Sequence, residues 1–192
     1  MDIEDAVRGR RAIRSFVEDA PDRDLIESVI ESACWAPSGM DRQPWRFVVV
    51  SGREALAECS ARCKATLLEL APADLPSDSL LNMLRRPDFD VFYGAPALVL
   101  VCATEPGEMA VKDACLAAQT LMLSAWGHGL GTCWIGLSEA WLNSPEGKAA
   151  LGLAEGLRVV APIILGRPRG VPPAPERRPA RIDWVDRLNT PA

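Results

Sequence analysis

The segment that most restricts the possible folds is a helical stretch from residue 109 to residue 128. Apolar side chains cover most of its faces instead of a single stripe, which is not the pattern of a surface helix. These side chains are Ala114, Leu116, Ala117, Leu121, Met122 and Ala125. We expect this helix to lie in the core or at an interface, and to end at Gly127, Gly129 and Gly131.

On both sides of this helix, helical patterns alternate with short apolar, β-branched runs. The runs predict strands at residues 46–51, 97–103, 132–135 and 157–165. Helical spacing predicts helices at residues 22–35 and 53–70, and helical turns near 139–143 and 145–151. Residues 72–93 are poorly periodic, and we expect loops and short helices there that cover a site. The pattern is typical of one α+β domain, residues 1–192, with helices around a modest sheet.

Composition narrows the class of protein. Apolar residues make up 48% of the chain and charged residues 24%, which is typical of a globular protein and not of a disordered one. The net charge of −5 argues against nucleic acid as a partner. The N-terminus lacks a secretory signal, and the longest apolar run, residues 95–103, is far shorter than the roughly 18–20 residues that span a bilayer. We therefore expect a cytoplasmic protein without a membrane partner.

The cysteines and the single histidine predict no metal site. Cys59 and Cys63 are one helical turn apart, but no second pair or nearby histidine completes a ligand set. We expect all six cysteines to be reduced and mostly buried. The glycines of residues 127–131 follow a helix and precede a strand, which is the reverse of a dinucleotide-binding loop. No side chain stands out as a catalytic acid, base or nucleophile.

Arginine is unevenly distributed along the chain. Of the 21 basic residues three are lysine and 18 are arginine, and no arginine lies between Pro87 and Leu157. A GC-rich genome explains the preference for arginine but not its clustering at both ends. Five prolines between Pro168 and Pro179 predict an extended segment without a core of its own. Apolar residues near the C-terminus predict that residues 168–192 are an anchored arm and not a loose tail; these are Ile182, Trp184, Val185 and Leu188.

The first segment that carries chemistry reads Arg10-Arg11-Ala12-Ile13-Arg14. Planar guanidinium groups match phosphate oxygens in pairs, so three of them within five residues predict a phosphate clamp. Arg10 and Arg14 would either share a helix face or fan out from a turn. The alternative is a solvated helix end, where cations are favoured at the C-terminus, and the segment alone does not decide between them.

Two further segments suit a ligand. Residues 35–45 read Trp-Ala-Pro-Ser-Gly-Met-Asp-Arg-Gln-Pro-Trp, which offers backbone, hydroxyl and amide donors beside apolar rings, as a flat polar heterocycle requires. The alternative is an ordinary helix-to-strand connection with core tryptophans. Residues 129–136 read Gly-Leu-Gly-Thr-Cys-Trp-Ile-Gly, and glycines at both ends allow the backbone to approach a ligand closely. The alternative there is a helix cap followed by a tight turn.

In this order and spacing, the segments resemble the nitroreductase family of FMN-dependent oxidoreductases. The likeness covers nearly the whole chain and is most specific at residues 36–45. It also includes the arginine motif, the Tyr93-Gly94-Ala95-Pro96 motif, residues 113–122 and 129–136, and the ending Leu165-Gly-Arg-Pro168 with Arg177-Arg178-Pro179. The resemblance implies a nitroreductase-like α+β fold, with a central mixed or antiparallel sheet flanked by helices and an extended C-terminal arm that embraces the partner subunit.

The resemblance also implies a homodimer with two FMN molecules in its interface, each held by both subunits. At the phosphate end, it places Arg10 and Arg11 on the phosphate and ribityl chain, and Arg177 with Arg178 on the phosphate. Arg14 would lie near the ribityl chain or the N1/C2=O edge, where positive charge stabilises reduced flavin.

At the ring end, the resemblance places Pro37, Ser38 and Gly39 of the partner subunit against the isoalloxazine. Near N5 of the ring it places the end of the last short strand, with a backbone N–H tuning that atom; these residues are Trp134, Ile135 and Gly136. The remaining predicted cofactor-binding residues are Ala12, Asp41, Gln43 and Cys133.

Three residues depart from the family pattern. Ala12 replaces a serine and so lacks one hydroxyl contact. Asp41 replaces an asparagine, and a carboxylate cannot donate the hydrogen bonds of an amide and disfavours an anionic ligand unless an arginine pairs with it. Thr120 replaces an asparagine of the long helix. We interpret these changes as affecting FMN affinity or specificity, and not family membership.

The resemblance implies ping-pong transfer of hydride from NADH or NADPH, through flavin N5, to an electron-poor small molecule such as a nitroaromatic or a quinone. The flavin carries this chemistry, so no catalytic side chain is expected. Two alternatives remain open: an FMN-binding module or sensor without turnover, and a family member with dehalogenase or flavin-modifying chemistry. Arg85 and Arg86 either bind an acidic substrate or the NADPH phosphate, or lie on a solvated face.

Overall fold

A four-stranded antiparallel sheet forms the centre of the computed structural model, which describes residues 2–69 and 78–186. The strands lie in the order β1-β2-β4-β3; they are β1 (Trp45–Ser51), β2 (Ala97–Ala103), β3 (Gly131–Trp134) and β4 (Arg158–Gly166). Every residue of β2 is buried, as expected for an apolar run covered on both faces. The four predicted strands are confirmed within two residues, and the pairing of the named strands is antiparallel.

Seven α-helices of the described residues surround the sheet. They are α1 (Ile3–Gly9), α2 (Arg23–Ala33), α3 (Arg53–Glu69), α4 (Asp78–Arg85), α5 (Glu108–Gly127), α6 (Glu139–Leu142) and α7 (Pro145–Ala150). Successive strand residues point to opposite faces, so β2 contributes to two cores. Val99 and Val101 pack with α2 and α5, whereas Leu98 and Leu100 pack with α3 and α6. The fold is therefore a sheet between two helical layers, as predicted.

Helix α5 confirms the prediction made from its apolar faces. Its alanines lie against α2 and the sheet, and Ala114, Ala117 and Ala118 are fully buried. Two large apolar residues of the same helix face solvent in the single chain: Met109 is 61% exposed and Leu116 is 45% exposed. In the part of the chain that the structure describes, no helix has the length and apolar character needed to cross a membrane.

Two segments differ from the sequence-based expectation. Helix α1 was not predicted; it has only seven residues, and none of them is buried. Residues after Arg10 are extended, so the interpretation that Arg10 and Arg14 share a helix face is wrong and the two side chains fan out instead. Residues 78–93 form α4 and a series of turns, which agrees with the expected short helices and loops, whereas residues 72–77 lie outside the described residues.

The C-terminal arm begins against the chain's own N-terminal segment. The Val17 N–H donates to the carbonyl of Arg167, and the Arg169 N–H donates to the carbonyl of Ser15, both at 3.0 Å. Farther along, the arm has no regular secondary structure, and Trp184 is 84% exposed. Its apolar end therefore finds no cover among the described residues of its own chain, and Leu188 lies outside those residues.

All six cysteines are free, and four of them are buried, as predicted. Among residues 2–69 and 78–186, no three His, Cys, Asp or Glu side chains lie close enough together to hold a metal ion.

The cysteines are expected to differ sharply in reactivity. Burial raises the pKa of Cys63 to about 12 and that of Cys102 to about 11. At pH 8, at most about one in a thousand of either thiol is then ionised, and the thiolate is the nucleophile. In a DTNB titration of folded protein, we expect exposed Cys34 to react quickly and Cys63 and Cys102 only after guanidinium is added. Rapid modification of all six thiols without denaturant would contradict the packing of this core.

Candidate functional site

The arginine motif lies beside the short strand β3. Ala12 pairs with Thr132 in a parallel bridge, and the Ile13 N–H donates to the Thr132 carbonyl at 2.9 Å. Ile13 is 1% exposed, and because side chains alternate along an extended segment, Ala12 and Arg14 point away from the core. Burial of one isoleucine therefore fixes the direction in which the arginines point.

A cleft of about 250 Å³ joins the two ends of the chain. Its walls are the start of the arginine motif and the proline arm: Arg10, Arg11, Ala12, Pro172, Pro173, Pro175 and Arg177. The prolines keep this part of the arm extended. Three guanidinium groups thus line one concave site, although about 165 residues separate the first from the last. Arg178 is exposed and lies outside the lining of this cleft.

Arg11 has two functions in this arrangement. Its Nη1 donates to the carbonyls of Arg8 and Gly9 at 2.7 Å and of Arg10 at 3.0 Å, so this cation caps the C-terminal end of α1. The helix-end interpretation is therefore correct for this nitrogen. Its Nε is buried, and no acceptor for it lies among the described residues. A buried donor without a partner is costly, so this atom favours an acceptor that enters from the cleft.

The loop of residues 37–43 is held by its own side chains. Ser38 Oγ accepts the Gln43 N–H, and Gln43 Nε2 donates to Asp41 Oδ1, both at 2.9 Å. Met40, Asp41 and Gln43 have φ between 48° and 57°, a left-handed conformation that non-glycine residues seldom adopt. Asp41 accepts a hydrogen bond from the side-chain amide of Gln43, and no arginine of the described residues forms an ion pair with it.

The tryptophans that flank this loop are not both core residues. Trp35 is 89% exposed, whereas Trp45 is half-buried against the core around α5. The interpretation of an ordinary connection with two core tryptophans is therefore wrong for Trp35, and Met40 in the same loop is 93% exposed.

The loop is anchored to α5 by a buried carboxylate that sequence reasoning did not single out. Asp113 is 4% exposed, and its Oδ1 accepts the Gly39 N–H at 3.1 Å. Gly39 also packs closely on Met109, because a Cβ at position 39 would lie 3.2 Å from Met109 Cγ. A carboxylate in the core is costly unless it is hydrogen-bonded, and this one holds the loop in place.

Replacing Asp113 should destabilise the protein in a graded way. Asp113→Ala leaves the Gly39 N–H without its acceptor and creates a cavity, and we expect a loss of about 2 kcal/mol in the free energy of unfolding. Asp113→Asn keeps an acceptor oxygen and should lose less than half of that. Urea denaturation of both variants checks the order, and equal losses would show that the hydrogen bond to Gly39 does not matter.

The loop and the arginine motif lie at opposite ends of α5. Gly39 contacts Met109 at the start of the helix, whereas Gly9 packs against Trp126 near its end. With a rise of 1.5 Å per residue, 17 residues place these contacts about 25 Å apart along the helix. FMN is shorter than this distance, so within one chain the two predicted halves of the site are not brought together.

The end of β3 does lie on the same side as the arginines. Ala12 pairs with Thr132, which brings the arginine motif beside Cys133. Burial raises the pKa of the Cys133 thiol, and the positive charges of Arg14 and Arg10 partly offset this increase. The Ile135 N–H donates to the Pro162 carbonyl at 2.8 Å, and Trp134 Nε1 donates to Glu139 Oε1 at 3.1 Å.

Gly136 is the exposed residue at the end of β3. It begins a 3-10 turn of residues 136–138, and the first N–H groups of a helical turn have no acceptor within it. Since the Ile135 N–H is engaged by Pro162, Gly136 is the more suitable donor toward a ligand.

The structure also gives the surroundings of two other arginines, one with predicted alternatives and one without a predicted role. Arg86 pairs with Asp88 at 2.7 Å on the surface, which compensates its charge and favours the solvated-face interpretation over an anion site. Arg169, which had no predicted role, lines two clefts together with Arg14. The sequence signal for Arg169 was only its place between two prolines.

Comparison with solved structures identifies the class of protein that this fold and site define. The chain is 28% identical to a nitroreductase with bound FMN from Desulfitobacterium hafniense DCB-2, over 97% of this chain and 100% of that one, with a TM-score of 0.80. The structural class is thus that of FMN-binding nitroreductase folds. The nitroreductase family profile matches residues 7–167, and the chain belongs to the nitroreductase family.

Curated proteins similar in sequence to this chain include a nitroreductase and a synthase. Nitroreductase NfnB of Mycolicibacterium smegmatis is 32% identical over an alignment of 159 positions that covers 66% of this chain and 67% of that protein. The 5,6-dimethylbenzimidazole synthase of Rhodospirillum rubrum is 29% identical over an alignment of 197 positions that covers 95% of this chain and 88% of the synthase. Three further curated relatives are matched over 62% to 93% of their own length.

Proposed function

We propose that the chain is an FMN-dependent oxidoreductase that moves hydride from NADH or NADPH to an electron-poor small molecule, such as a nitroaromatic or a quinone. The observation that carries the proposal is the cleft in which Arg10, Arg11 and Arg177 meet. Its size and its guanidinium groups suit one phosphate, and the buried Nε of Arg11 suits a phosphate oxygen as acceptor. FMN, when bound, supplies the hydride chemistry.

The ring would lie between residues of two subunits. On the subunit that holds the phosphate, Arg14 would supply positive charge at one edge of the ring, and residues 133–136 would supply a backbone surface against it. Because the loop of residues 37–43 lies about 25 Å away along α5, we assign its contacts with the ring to the partner subunit. The exposed apolar residues Met109, Leu116 and Trp184 support such a homodimer, in which α5 lies at the interface and the arm covers the partner.

In this scheme, the chain's own groups bind FMN, orient its ring and shield it from water. Guanidinium groups fix the phosphate, the loop's donors fix the ring, and the apolar rings of Trp35 and Trp134 limit access of water. No side chain of the described site is assigned as acid or base. We do not assign Arg86 to substrate binding, because its ion pair with Asp88 already compensates its charge.

Anaerobic reduction tests the proposal. Purified protein loaded with FMN should be yellow, NADH or NADPH should bleach its absorbance, and a nitroaromatic, a quinone or a halophenol should restore it. Protein that stays colourless with added FMN would contradict the proposal. Bound FMN that neither nicotinamide bleaches would favour a binding module without turnover.

A second candidate function is modification of the flavin itself. It is supported by the likeness to a 5,6-dimethylbenzimidazole synthase, whose product contains the dimethylated ring that FMN also carries. Incubating the reduced, FMN-loaded protein with oxygen and separating the products by chromatography distinguishes the two. Unchanged FMN supports the oxidoreductase, whereas loss of FMN with formation of dimethylbenzimidazole supports the second candidate.

A further inference from the structure

Side chains of the turn itself and of α3 fix the backbone of residues 90–94, in which Val91 and Phe92 are buried. Asp90 accepts two backbone hydrogen bonds, from the Phe92 N–H at 2.8 Å and from the Gly94 N–H at 2.7 Å. From α3, Ser60 Oγ accepts the Val91 N–H at 2.9 Å, and Lys64 donates to the Arg86 and Phe89 carbonyls. These bonds join the turn to a buried helix face and leave it little freedom to move.

The turn holds Tyr93 in a strained conformation. Tyr93 has φ of +56°, a value that a bulky side chain rarely adopts, and Gly94 follows at +64°. Strain of this kind persists only where surrounding contacts enforce it, and it concentrates at functional positions. The ring is fixed further by Phe89, whose ring meets it edge-on with centroids 5.8 Å apart.

The strained ring supports the guanidinium group of Arg14. The Arg14 Cζ lies 5.7 Å from the centroid of the Tyr93 ring, within the range of a cation–π interaction. Asp90 lines the same clefts as Arg14, but the Phe92 and Gly94 N–H groups already engage both of its oxygens. Among the described residues, no carboxylate forms an ion pair with Arg14. The Arg14 cation is therefore held by a neutral ring, and no ion pair with a described carboxylate cancels its charge.

We infer that Tyr93 is a positioning residue that aims Arg14 at the FMN ring while leaving its positive charge available, and that the Asp90–Gly94 turn exists to present Tyr93 in this way. The inference rests on the proposed function, since it requires FMN beside Arg14. A carboxylate partner would also hold the arginine, but it would cancel the charge that favours the reduced flavin. A π-face holds the side chain without that loss.

The matched variants are Tyr93→Phe and Tyr93→Asn. Phenylalanine keeps the ring, whereas asparagine removes it and still tolerates positive φ. We expect Tyr93→Asn to bind FMN roughly threefold more weakly and to prefer oxidised over reduced FMN by up to about tenfold relative to wild type. For a two-electron couple, tenfold corresponds to a midpoint potential about 30 mV more negative. Tyr93→Phe should match the wild type in both measurements.

The reference variant is Arg14→Gln, which should move the potential in the same direction, and adding Tyr93→Asn to it should change the potential little further. A Tyr93→Asn potential equal to that of the wild type, while Arg14→Gln shifts it, would overturn the inference and leave the proposed function intact. Wild-type protein that fails to bind FMN would overturn both. If Tyr93→Asn does not fold, pentafluorophenylalanine at position 93 keeps the ring's shape, reverses its electrostatics and should give the same negative shift.

Discussion

Arg177→Gln is expected to weaken FMN binding by about 10- to 100-fold. A guanidinium–phosphate pair is a charge-assisted, bidentate interaction worth about 1.5–3 kcal/mol, and each 1.4 kcal/mol is a factor of ten in affinity. Arg10→Gln should have an effect of the same size, because both side chains line the same cleft from opposite ends of the sequence. Titration of the apoprotein with FMN, followed by quenching of flavin fluorescence, measures both dissociation constants.

The matched control is Arg181→Gln, which removes an exposed arginine from the same arm four residues later. Arg158→Gln, at the exposed start of β4, controls for the overall charge. Both controls should change the affinity less than threefold, because long-range charge effects are screened by salt. If Arg181→Gln weakens binding as much as Arg177→Gln, the arm attracts FMN by its general charge and does not contribute a particular residue to the phosphate site.

Gly131→Ala should both destabilise the protein and weaken FMN binding. A Cβ at position 131 would lie 2.6 Å from Ile13 Cγ1 and 2.7 Å from Ile13 Cβ, and Ile13 is fully buried. The Cβ of Ile13 is fixed to the backbone, so a change of rotamer cannot relieve this clash. The segment that carries Arg10 and Arg14 must therefore move away from β3. Overpacking of this kind costs about 1–3 kcal/mol of unfolding free energy. Displaced arginines should lower the FMN affinity about tenfold.

A double-mutant cycle with Ile13→Ala tests this cause. Ile13→Ala alone leaves a cavity and should cost about 2–5 kcal/mol. In the double variant the added methyl group occupies part of that cavity, so the cost should be at least about 1 kcal/mol less than the sum of the two single costs. Strictly additive costs, measured by urea denaturation, would show that the contact between positions 13 and 131 does not hold the arginine motif in place.

The sheet could be predicted from the sequence because its strands are continuous apolar runs. Residues 97–103 contain nothing but apolar side chains, and no position in them is exposed. Helix α5 was predictable for the same reason. Helix α1 was not, since it buries none of its residues and its end is capped by Arg11, a side chain that looks like any other surface arginine.

The site was predictable only in part. The resemblance to a family brought Arg10, Arg11 and Arg177 to one phosphate, and the structure does place them around one cleft. The resemblance could not predict the hydrogen bond between Gly39 and Asp113, because these residues are 74 positions apart and meet only through tertiary packing.

Backbone strain was equally invisible in the sequence. Met40 and Tyr93 have positive φ although neither is glycine, asparagine or aspartate, so the turn residues that usually mark such positions are absent there. The strain depends on hydrogen bonds from distant residues, such as the one between Ser60 and Val91.

The central claim is that each FMN site is built from two subunits, with the phosphate cleft on one and the loop of residues 37–43 on the other. Two variants separate these halves. Arg10→Gln combined with Arg177→Gln disables the cleft, and Ser38→Trp places a bulky ring where the flavin would lie. Each variant alone should bind FMN weakly in both of its sites.

Mixed dimers of the two variants, isolated with two different affinity tags, decide the question. One of their sites combines the intact cleft of one subunit with the intact loop of the other, and the second site carries both defects. The account predicts one FMN bound per two chains, with wild-type affinity. Mixed dimers that bind no FMN tightly would contradict it, because both halves of each site would then come from the same subunit.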